Sequence, residues 1–112
     1  MSVAEANKWL SYGLKKKEEK EVSNLLIRGN EDHLIESFHK KLEFGTGGMR
    51  GLIGIGSNRI NSYTISLATQ GLCNYLKKTC ENTISAVIAY DSRKFSKEFG
   101  NQTAKIFSAN NI

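Results

Sequence analysis

Glycine is concentrated in one short segment of this 112-residue chain, where six of its ten glycines lie between Gly45 and Gly56. Glycine adopts positive φ angles easily and leaves no side chain in the way of a neighbouring backbone or ligand. Apolar residues alternate with these glycines over residues 43–58, and the helical spacing seen before residue 43 stops there. The segment therefore predicts a short strand that runs into a glycine-rich loop.

The segments on either side of this loop follow an order that indicates an α/β fold. Residues 1–42 carry apolar side chains at helical spacing and predict a helical arm, and a second amphipathic stretch after the loop ends near Lys78. Residues 84–90 form an apolar run with little polar alternation, which is typical of a strand buried on both faces of a parallel sheet. Ser96 is placed to cap a final helix. This order predicts a three-layer α/β/α domain with a mostly parallel sheet, preceded by the helical arm.

Basic side chains beside the glycines indicate an anion site. A run of glycines can turn backbone N–H groups toward an anion, and Arg50 adds a guanidinium group that can hold phosphate oxygens in bidentate fashion. Arg59 lies near the start of the next predicted helix, where the helix dipole favours anions. Composition and spacing thus indicate a phosphate or carboxylate site. A glycine-rich turn needed only for tight packing explains the same residues equally well.

Two familiar nucleotide-binding loops do not match this segment. The spacing from Gly51 to Gly56 is that of a Walker A loop, but Ser57 stands where that loop requires lysine. The dinucleotide-binding pattern of three glycines fails at its third position, which is occupied by Arg50 in one reading and by Arg59 in the other. Nucleotide binding is therefore disfavoured.

The charge of the chain suits a small anionic partner. Its formal net charge is +5, and a basic balance attracts anions in general. The lysines at positions 15–17 are followed directly by Glu18 and Glu19, a pattern that predicts a solvated helix face. The sequence shows no surface stripe of basic residues interleaved with aromatic ones, as nucleic-acid binding would need. We expect neither a nucleic-acid nor a membrane partner.

The two cysteines and the N-terminal residues indicate a cytoplasmic protein. If Cys73 and Cys80 lie on one helix, they are about 10 Å apart along its axis, which is too far for a disulfide. Free thiols suit a reducing compartment. Residues 1–10 lack the apolar core of a signal peptide, and no apolar run approaches about 18 residues. We expect a soluble, cytoplasmic protein.

Three segments resemble, in matching order, the α-D-phosphohexomutases, the family of the phosphoglucomutases and phosphomannomutases. FGTGGMRG at residues 44–51 is similar to the N-terminal signature of that family, which is close to GTxGxRG. Residues 54–76 resemble the helix that follows it, and residues 86–100 resemble the second strand with its Asp-x-Arg loop. The resemblance extends over roughly residues 40–112. The long helical arm is similar to the branch that includes longer phosphoglucomutases, phosphopentomutases and glucose-1,6-bisphosphate synthases.

The resemblance implies a mechanism and a set of site residues. Members of the family carry a phosphoserine that donates its phosphoryl group to a sugar phosphate, and the bisphosphate turns around and returns its other phosphoryl group. Arg50 matches the signature arginine, which implies an active-site role. Thr46 and Gly47 occupy the rest of that loop, and Arg59 matches a basic position of the longer-armed branch. We therefore expect these four residues to bind phosphate.

The resemblance also implies that this chain is a fragment. Asp91 and Arg93 match the loop after the second strand, where we expect mainly architectural hydrogen bonding and pairing. The family's nucleophile loop, Thr-x-Ser-His-Asn-Pro, and its magnesium loop, Asp-Gly-Asp-x-Asp-Arg, do not occur in the sequence. We expect a helical arm at residues 1–42 and a partial domain I at residues 43–112, cut before the phosphoserine loop. In the full-length enzyme we expect Mg²⁺, held by residues beyond 112, and glucose 1,6-bisphosphate as activator.

The predicted parent enzyme is a phosphoglucomutase or phosphomannomutase that interconverts sugar 1-phosphates and 6-phosphates, with the fragment inactive alone. A phosphopentomutase or a glucose-1,6-bisphosphate synthase of the same family stays open, as does a standalone phosphate-binding α/β module. The expected partners are a phosphosugar substrate and the remaining domains of the parent chain. A truncated sheet would expose a strand edge and apolar helix faces, which predicts self-association.

Overall fold

A computed structural model of the chain describes residues 1–45 and 48–112. The chain divides into two compact units, Met1–Asn61 and Ser62–Ile112. The two units are defined by which residues pack together. The predicted boundary between residues 42 and 43 is a different one, because it marks the start of the family domain. That boundary stays a prediction.

Three short helices within residues 1–45 form the core of the first unit. They are α1 (Ser2–Leu10), α2 (Lys16–Leu25) and α3 (Glu31–Phe38). The helical periodicity predicted for this part of the chain is confirmed. Apolar side chains from the helices and from the α1–α2 connection are buried together: Ala6, Trp9, Leu14, Val22, Leu34 and Phe38. The rings of Trp9 and Phe38 meet edge to face, with centroids 5.5 Å apart and planes at 83°, an arrangement that aromatic quadrupoles favour.

The glycine-rich segment of the first unit contributes little regular structure. Strand β1 (Phe44–Gly45) pairs antiparallel with β2 (Gly48–Met49). An isolated parallel bridge then links Ile53 to Ile60, and the Ile60 N–H donates to the Leu52 carbonyl at 2.7 Å. The predicted change from a short strand to an irregular glycine-rich loop is therefore what the described residues show.

Two helices, α4 (Ser62–Thr79) and α5 (Ser96–Ala109), form the second unit and pack against each other. One apolar side chain of each helix is buried, Cys73 of α4 and Phe107 of α5. The amide groups of Gln70 and Asn110 bond reciprocally, because Asn110 Nδ2 donates to Gln70 Oε1 at 2.8 Å and Gln70 Nε2 donates to Asn110 Oδ1 at 3.1 Å. Both helices were predicted from their periodicity and are confirmed.

The connection between these helices differs from its prediction. Residues 84–90 were expected to form a buried strand, but they pair with no strand among the described residues, and Val87 is 98% exposed. A strand in a parallel sheet needs hydrogen-bonded neighbours at its edges and helices over both faces. Residues 1–45 and 48–112 place no strand beside it, so the predicted parallel sheet is not confirmed.

The free cysteines predicted from the sequence are confirmed, with Cys73 buried and Cys80 exposed. Within the described part of the chain, no helix is both long and apolar enough to cross a bilayer.

Candidate functional site

A surface groove of about 400 Å³ lies beside the glycine-rich segment of the first unit. It contains two arginines that are nine positions apart in the sequence, Arg50 and Arg59. The described residues of its lining are Lys40, Lys41, Leu42, Glu43, Arg50, Gly51, Leu52, Asn58 and Arg59. Among them, four basic side chains accompany one carboxylate, and a concave surface with an excess of one sign of charge concentrates ions of the opposite sign. The groove is therefore suited to a small anion.

Arg50 directly follows β2 and is exposed. Among the described residues, no carboxylate lies within 4.0 Å of its guanidinium group. A guanidinium group presents its donors in a planar fork that matches two oxygens of a phosphate or carboxylate. Arg50 is thus available to an anion that enters the groove.

Arg59 is held more tightly than Arg50. Its side chain is 14% exposed, and its Nη2 lies 3.6 Å from the carboxylate of Glu36. Its Nη1 donates to the Glu36 backbone carbonyl at 3.0 Å. A positive side chain at this point interacts favourably with the negative end of the α3 dipole. Arg59 therefore ties the groove wall to α3, and its predicted contact with phosphate stays a prediction.

Asn58 closes the carboxyl end of α3. The last carbonyls of a helix have no partner within the helix. The backbone N–H of Asn58 donates to the Ser37 carbonyl at 2.9 Å, and its Nδ2 donates to the Glu36 carbonyl at 2.9 Å. One residue thus satisfies two of these carbonyls and fixes the groove wall to the helix.

Gly56 and Ser57 also hold the glycine-rich segment against the end of α3 and the residues that follow it. Gly56 has φ +126°, and a Cβ atom there would lie 2.4 Å from the Ser37 carbonyl oxygen, so only glycine fits this close approach. Ser57 is buried, and its Oγ donates to the Lys40 carbonyl at 2.9 Å. The Ser57 carbonyl accepts from the Leu42 N–H at 3.0 Å. The backbone of residues 40–42 is consequently anchored on both sides of Lys41.

Asp91 and Arg93 lie in the second unit, in a turn before α5. The Arg93 Nε donates to Asp91 Oδ2 at 2.7 Å, and the Arg93 N–H donates to Asp91 Oδ1 at 3.1 Å. The Ser96 hydroxyl also donates to Asp91 Oδ1, at 2.8 Å. The pKa of Asp91 is lowered, chiefly by the Ser96 hydroxyl and then by the Arg93 N–H and guanidinium. The Asp91 carboxylate thus stabilises the turn by accepting hydrogen bonds from two residues that follow it.

The predicted cap role of Ser96 is wrong. The helix α5 begins at Ser96, and Phe95 occupies the cap position with φ +68° and no side-chain cap bond. The Ser96 hydroxyl donates to Asp91 instead of accepting a backbone N–H of the helix.

The sequence of the groove and of the segments after it matches a known family model. The model is that of phosphoglucomutase/phosphomannomutase, alpha/beta/alpha domain I, and it matches residues 41–112. This range contains Arg50, Arg59 and the Asp91 turn. The chain belongs to this family.

Individual relatives support the same assignment of this phosphohexomutase-family chain. It is 42% identical over 77 residues to a phosphoglucomutase of Staphylococcus haemolyticus, covering 69% of this chain and 14% of that protein. It is 36% identical over 91 residues to a phosphopentomutase of Pongo abelii, covering 80% and 15%. It is 31% identical over 99 residues to a phosphoribomutase of Saccharomyces cerevisiae, covering 88% and 16%. The chain therefore spans about one seventh of the length of these curated relatives, and no solved structure matches it significantly.

Two of the expected site residues of this phosphohexomutase-family chain, Thr46 and Gly47, lie outside the described residues. The structure places Arg50 and Arg59 on one groove, and it places Asp91 and Arg93 together in a separate turn of the second unit. Within residues 1–45 and 48–112, no three His, Cys, Asp or Glu side chains come together. The described residues therefore do not by themselves form a site for Mg²⁺.

Sequence reasoning missed the residues that anchor the groove and those that enlarge it. Ser57 and Asn58 have short polar side chains that often bond to backbone groups, which was the available signal. Their partners lie 17 and 22 positions back along the chain, and that pairing depends on tertiary packing. Lys40 and Lys41 were counted only as part of the helical arm.

Proposed function

We propose that this chain is part of a phosphomutase that moves a phosphoryl group between two positions of a sugar phosphate, with the Arg50 groove as an anion-binding wall of the active site. The observation that carries this proposal is the position of Arg50. It is exposed, has no carboxylate partner among the described residues, and lines a basic groove within the range matched to domain I.

Arg50 would act through positioning and electrostatics. A guanidinium group that holds two phosphate oxygens fixes the orientation of the phosphoryl group. Phosphoryl transfer is catalysed largely by such positioning and by neutralising the charge on the transferred group. Thr46 and Gly47 would add loop contacts to the same phosphate, and Arg59 would add positive charge from the groove wall.

The remaining features of the proposal concern the complete protein. We propose that it interconverts sugar 1-phosphates and 6-phosphates through a phosphoserine located beyond residue 112, and that the 112-residue chain alone is inactive. Mg²⁺ would supply charge neutralisation during transfer, with its ligands also beyond residue 112, and glucose 1,6-bisphosphate would activate the enzyme. In the complete domain, residues 84–90 would join a mostly parallel sheet. We place the protein in the cytoplasm.

A pentose phosphate is the second candidate substrate. The relatives named phosphopentomutase and phosphoribomutase align with 80% and 88% of this chain, whereas the Staphylococcus haemolyticus phosphoglucomutase aligns with 69%. The additional aligned length supports membership of the longer-armed branch. A glucose-1,6-bisphosphate synthase of that branch would use the same groove.

The test is a kinetic assay of the complete protein with glucose 1-phosphate and ribose 1-phosphate as separate substrates. We expect turnover of at least one of them, and we expect Arg50→Ala to lower kcat by about 100-fold, as loss of one charge-stabilising donor does elsewhere. Arg28→Ala, at an exposed arginine between α2 and α3, is the matched control and should be neutral. Full activity of Arg50→Ala, or turnover of neither substrate, would contradict the proposal.

A further inference from the structure

Two lysines of the groove have no role in the function proposed above. Lys40 and Lys41 follow the end of α3 and line the groove together with Arg50. Both side chains are exposed. A pair of adjacent lysines in a helical arm usually belongs to a solvated surface, so their place in the groove requires an explanation.

Their backbone is held in place. The Lys40 carbonyl accepts a hydrogen bond from the Ser57 hydroxyl at 2.9 Å. Two residues later, the Leu42 N–H donates to the Ser57 carbonyl at 3.0 Å. Ser57 is itself buried. The lysines therefore extend from a fixed backbone instead of a freely moving linker, which lowers the entropy that is lost when they bind a ligand.

The charges in the groove are unbalanced. Arg59 has Glu36 as its ion-pair partner, 3.6 Å away. In contrast, Lys40, Lys41 and Arg50 have no carboxylate within 4.0 Å among the described residues. Glu43 is the single acidic side chain among the lining residues that the structure describes. Positive charges gathered in a concavity repel one another and attract an anion, which relieves that repulsion.

We propose that Lys40 and Lys41 join Arg50 in binding the phosphate monoester of a phosphosugar, so that the groove has anion ligands outside the glycine-rich loop. This inference rests on the proposed function for the identity of the ligand. The volume of about 400 Å³ lies within the range of small-molecule sites, which run from about 300 to 1,000 Å³. It favours a small phosphorylated ligand over the extended backbone of a nucleic acid.

The direct test is an NMR titration of the 112-residue chain with inorganic phosphate and, separately, with glucose 6-phosphate. We expect Lys40→Gln/Lys41→Gln to weaken binding of both by about tenfold, which corresponds to the loss of about one charge-assisted contact. Lys16→Gln/Lys17→Gln is the matched control, because it removes the same charge from exposed, adjacent lysines of α2 in the same unit. The control should bind within about twofold of the original chain if the effect is local and not one of net charge.

Equal weakening by the two double variants, or no weakening by either, would overturn the inference. Lys40→Arg/Lys41→Arg should retain binding, because it keeps both charges, and far-UV circular dichroism should show the same helix content for all variants. The inference would also be overturned if a single-stranded RNA bound more tightly than glucose 6-phosphate and Lys40→Gln/Lys41→Gln abolished that binding. The ligand would then be a nucleic acid and not a phosphosugar.

Kinetics of the complete protein separate this inference from the proposed function. If both hold, Lys40→Gln/Lys41→Gln raises KM by several fold and changes kcat less than Arg50→Ala does. If the complete protein turns over no sugar phosphate but binds inorganic phosphate through these lysines, the proposed function fails and the groove stands. If turnover is normal and phosphate binding is insensitive to the lysines, the groove inference fails alone.

Discussion

The two units of this chain differ in how completely they bury their apolar residues. In the first unit, buried apolar side chains come from all three helices and include Trp9, Val22 and Phe38. In the second unit, the buried apolar side chains among the described residues are Cys73 and Phe107. Since burial of apolar area is the main favourable term in folding, the first unit should be the more stable of the two.

The connections between helices are short in the first unit and long in the second. The helices of the first unit are joined by short turns, so their contacts are local and cost little chain entropy. The helices α4 and α5 are separated by residues 80–95, which form no strand. The α4 face that carries Leu67 and Tyr75 is also exposed. The unit with the basic groove therefore has a buried core built from three helices, whereas the second unit buries few of its apolar side chains.

The largest expected effect concerns the core of the first unit. Trp9 is 2% exposed, whereas Tyr75 in the second unit is 63% exposed. We expect Trp9→Ala to lower the free energy of unfolding by about 3–5 kcal/mol through loss of burial and a cavity, and Tyr75→Ala to change it by less than about 0.5 kcal/mol. Chemical denaturation followed by circular dichroism measures both. Similar effects of the two changes would contradict the difference in apolar burial between the units.

A second prediction compares backbone protection in the two units. Amides of residues 84–90 have no backbone partner among the described residues, so they should exchange with solvent at rates close to those of an unfolded chain. Amides near Val22 and Leu34, which lie within α2 and α3 and have buried side chains, should exchange at least about tenfold more slowly. Hydrogen exchange followed by mass spectrometry resolves these segments. Strong protection of residues 84–90 would indicate a pairing that contradicts the structure.

The sequence predicts features that depend on neighbouring residues better than features that depend on distant ones. The helical arm and the two later helices were predicted from apolar spacing, because that pattern depends only on residues close together in the chain. The strand at residues 84–90 was wrong for the described structure, since an apolar, β-rich run becomes a strand only beside another strand. In the site, the signature loop predicted phosphate binding by Arg50, and that role stays a prediction. The parts contributed by Ser57, Asn58 and Lys40 were not predictable, because each depends on contacts between α3 and residues far along the chain.

A smaller effect is expected where α3 meets the groove. Asn58→Ala removes the hydrogen bond from Nδ2 to the Glu36 carbonyl and should lower the stability of the first unit by about 0.5–1.5 kcal/mol. It should also weaken phosphate binding, because the groove wall loses one of its hydrogen bonds to the end of α3. Asn7→Ala, at an exposed position of α1, is the control and should be neutral or slightly stabilising. Unchanged phosphate binding in Asn58→Ala would show that this attachment does not position the groove.

The smallest expected effect is the pH dependence of the Asp91 turn. Hydrogen bonds from Ser96 and Arg93 lower the pKa of Asp91 in the folded chain. Its ionised carboxylate therefore stabilises the turn above the usual aspartate pKa of about 3.9, and that contribution is lost as the pH falls through the lowered folded value. NMR titration of the Asp91 carboxyl should give a pKa below the usual range, and Ser96→Ala should raise it. A carboxyl that titrates normally in the original chain would contradict the turn geometry.

The most direct test of the central claim is to map glucose 6-phosphate binding on the isotopically labelled 112-residue chain by NMR. The claim is that the first unit holds the anion-binding groove and that the Asp91 turn of the second unit is architectural. We predict that the shifted amides lie at residues 40–43, 50–52 and 58–59, and that the shifts are lost in Arg50→Ala. Shifts centred on residues 91–96, or shifts that persist unchanged in Arg50→Ala, would contradict it.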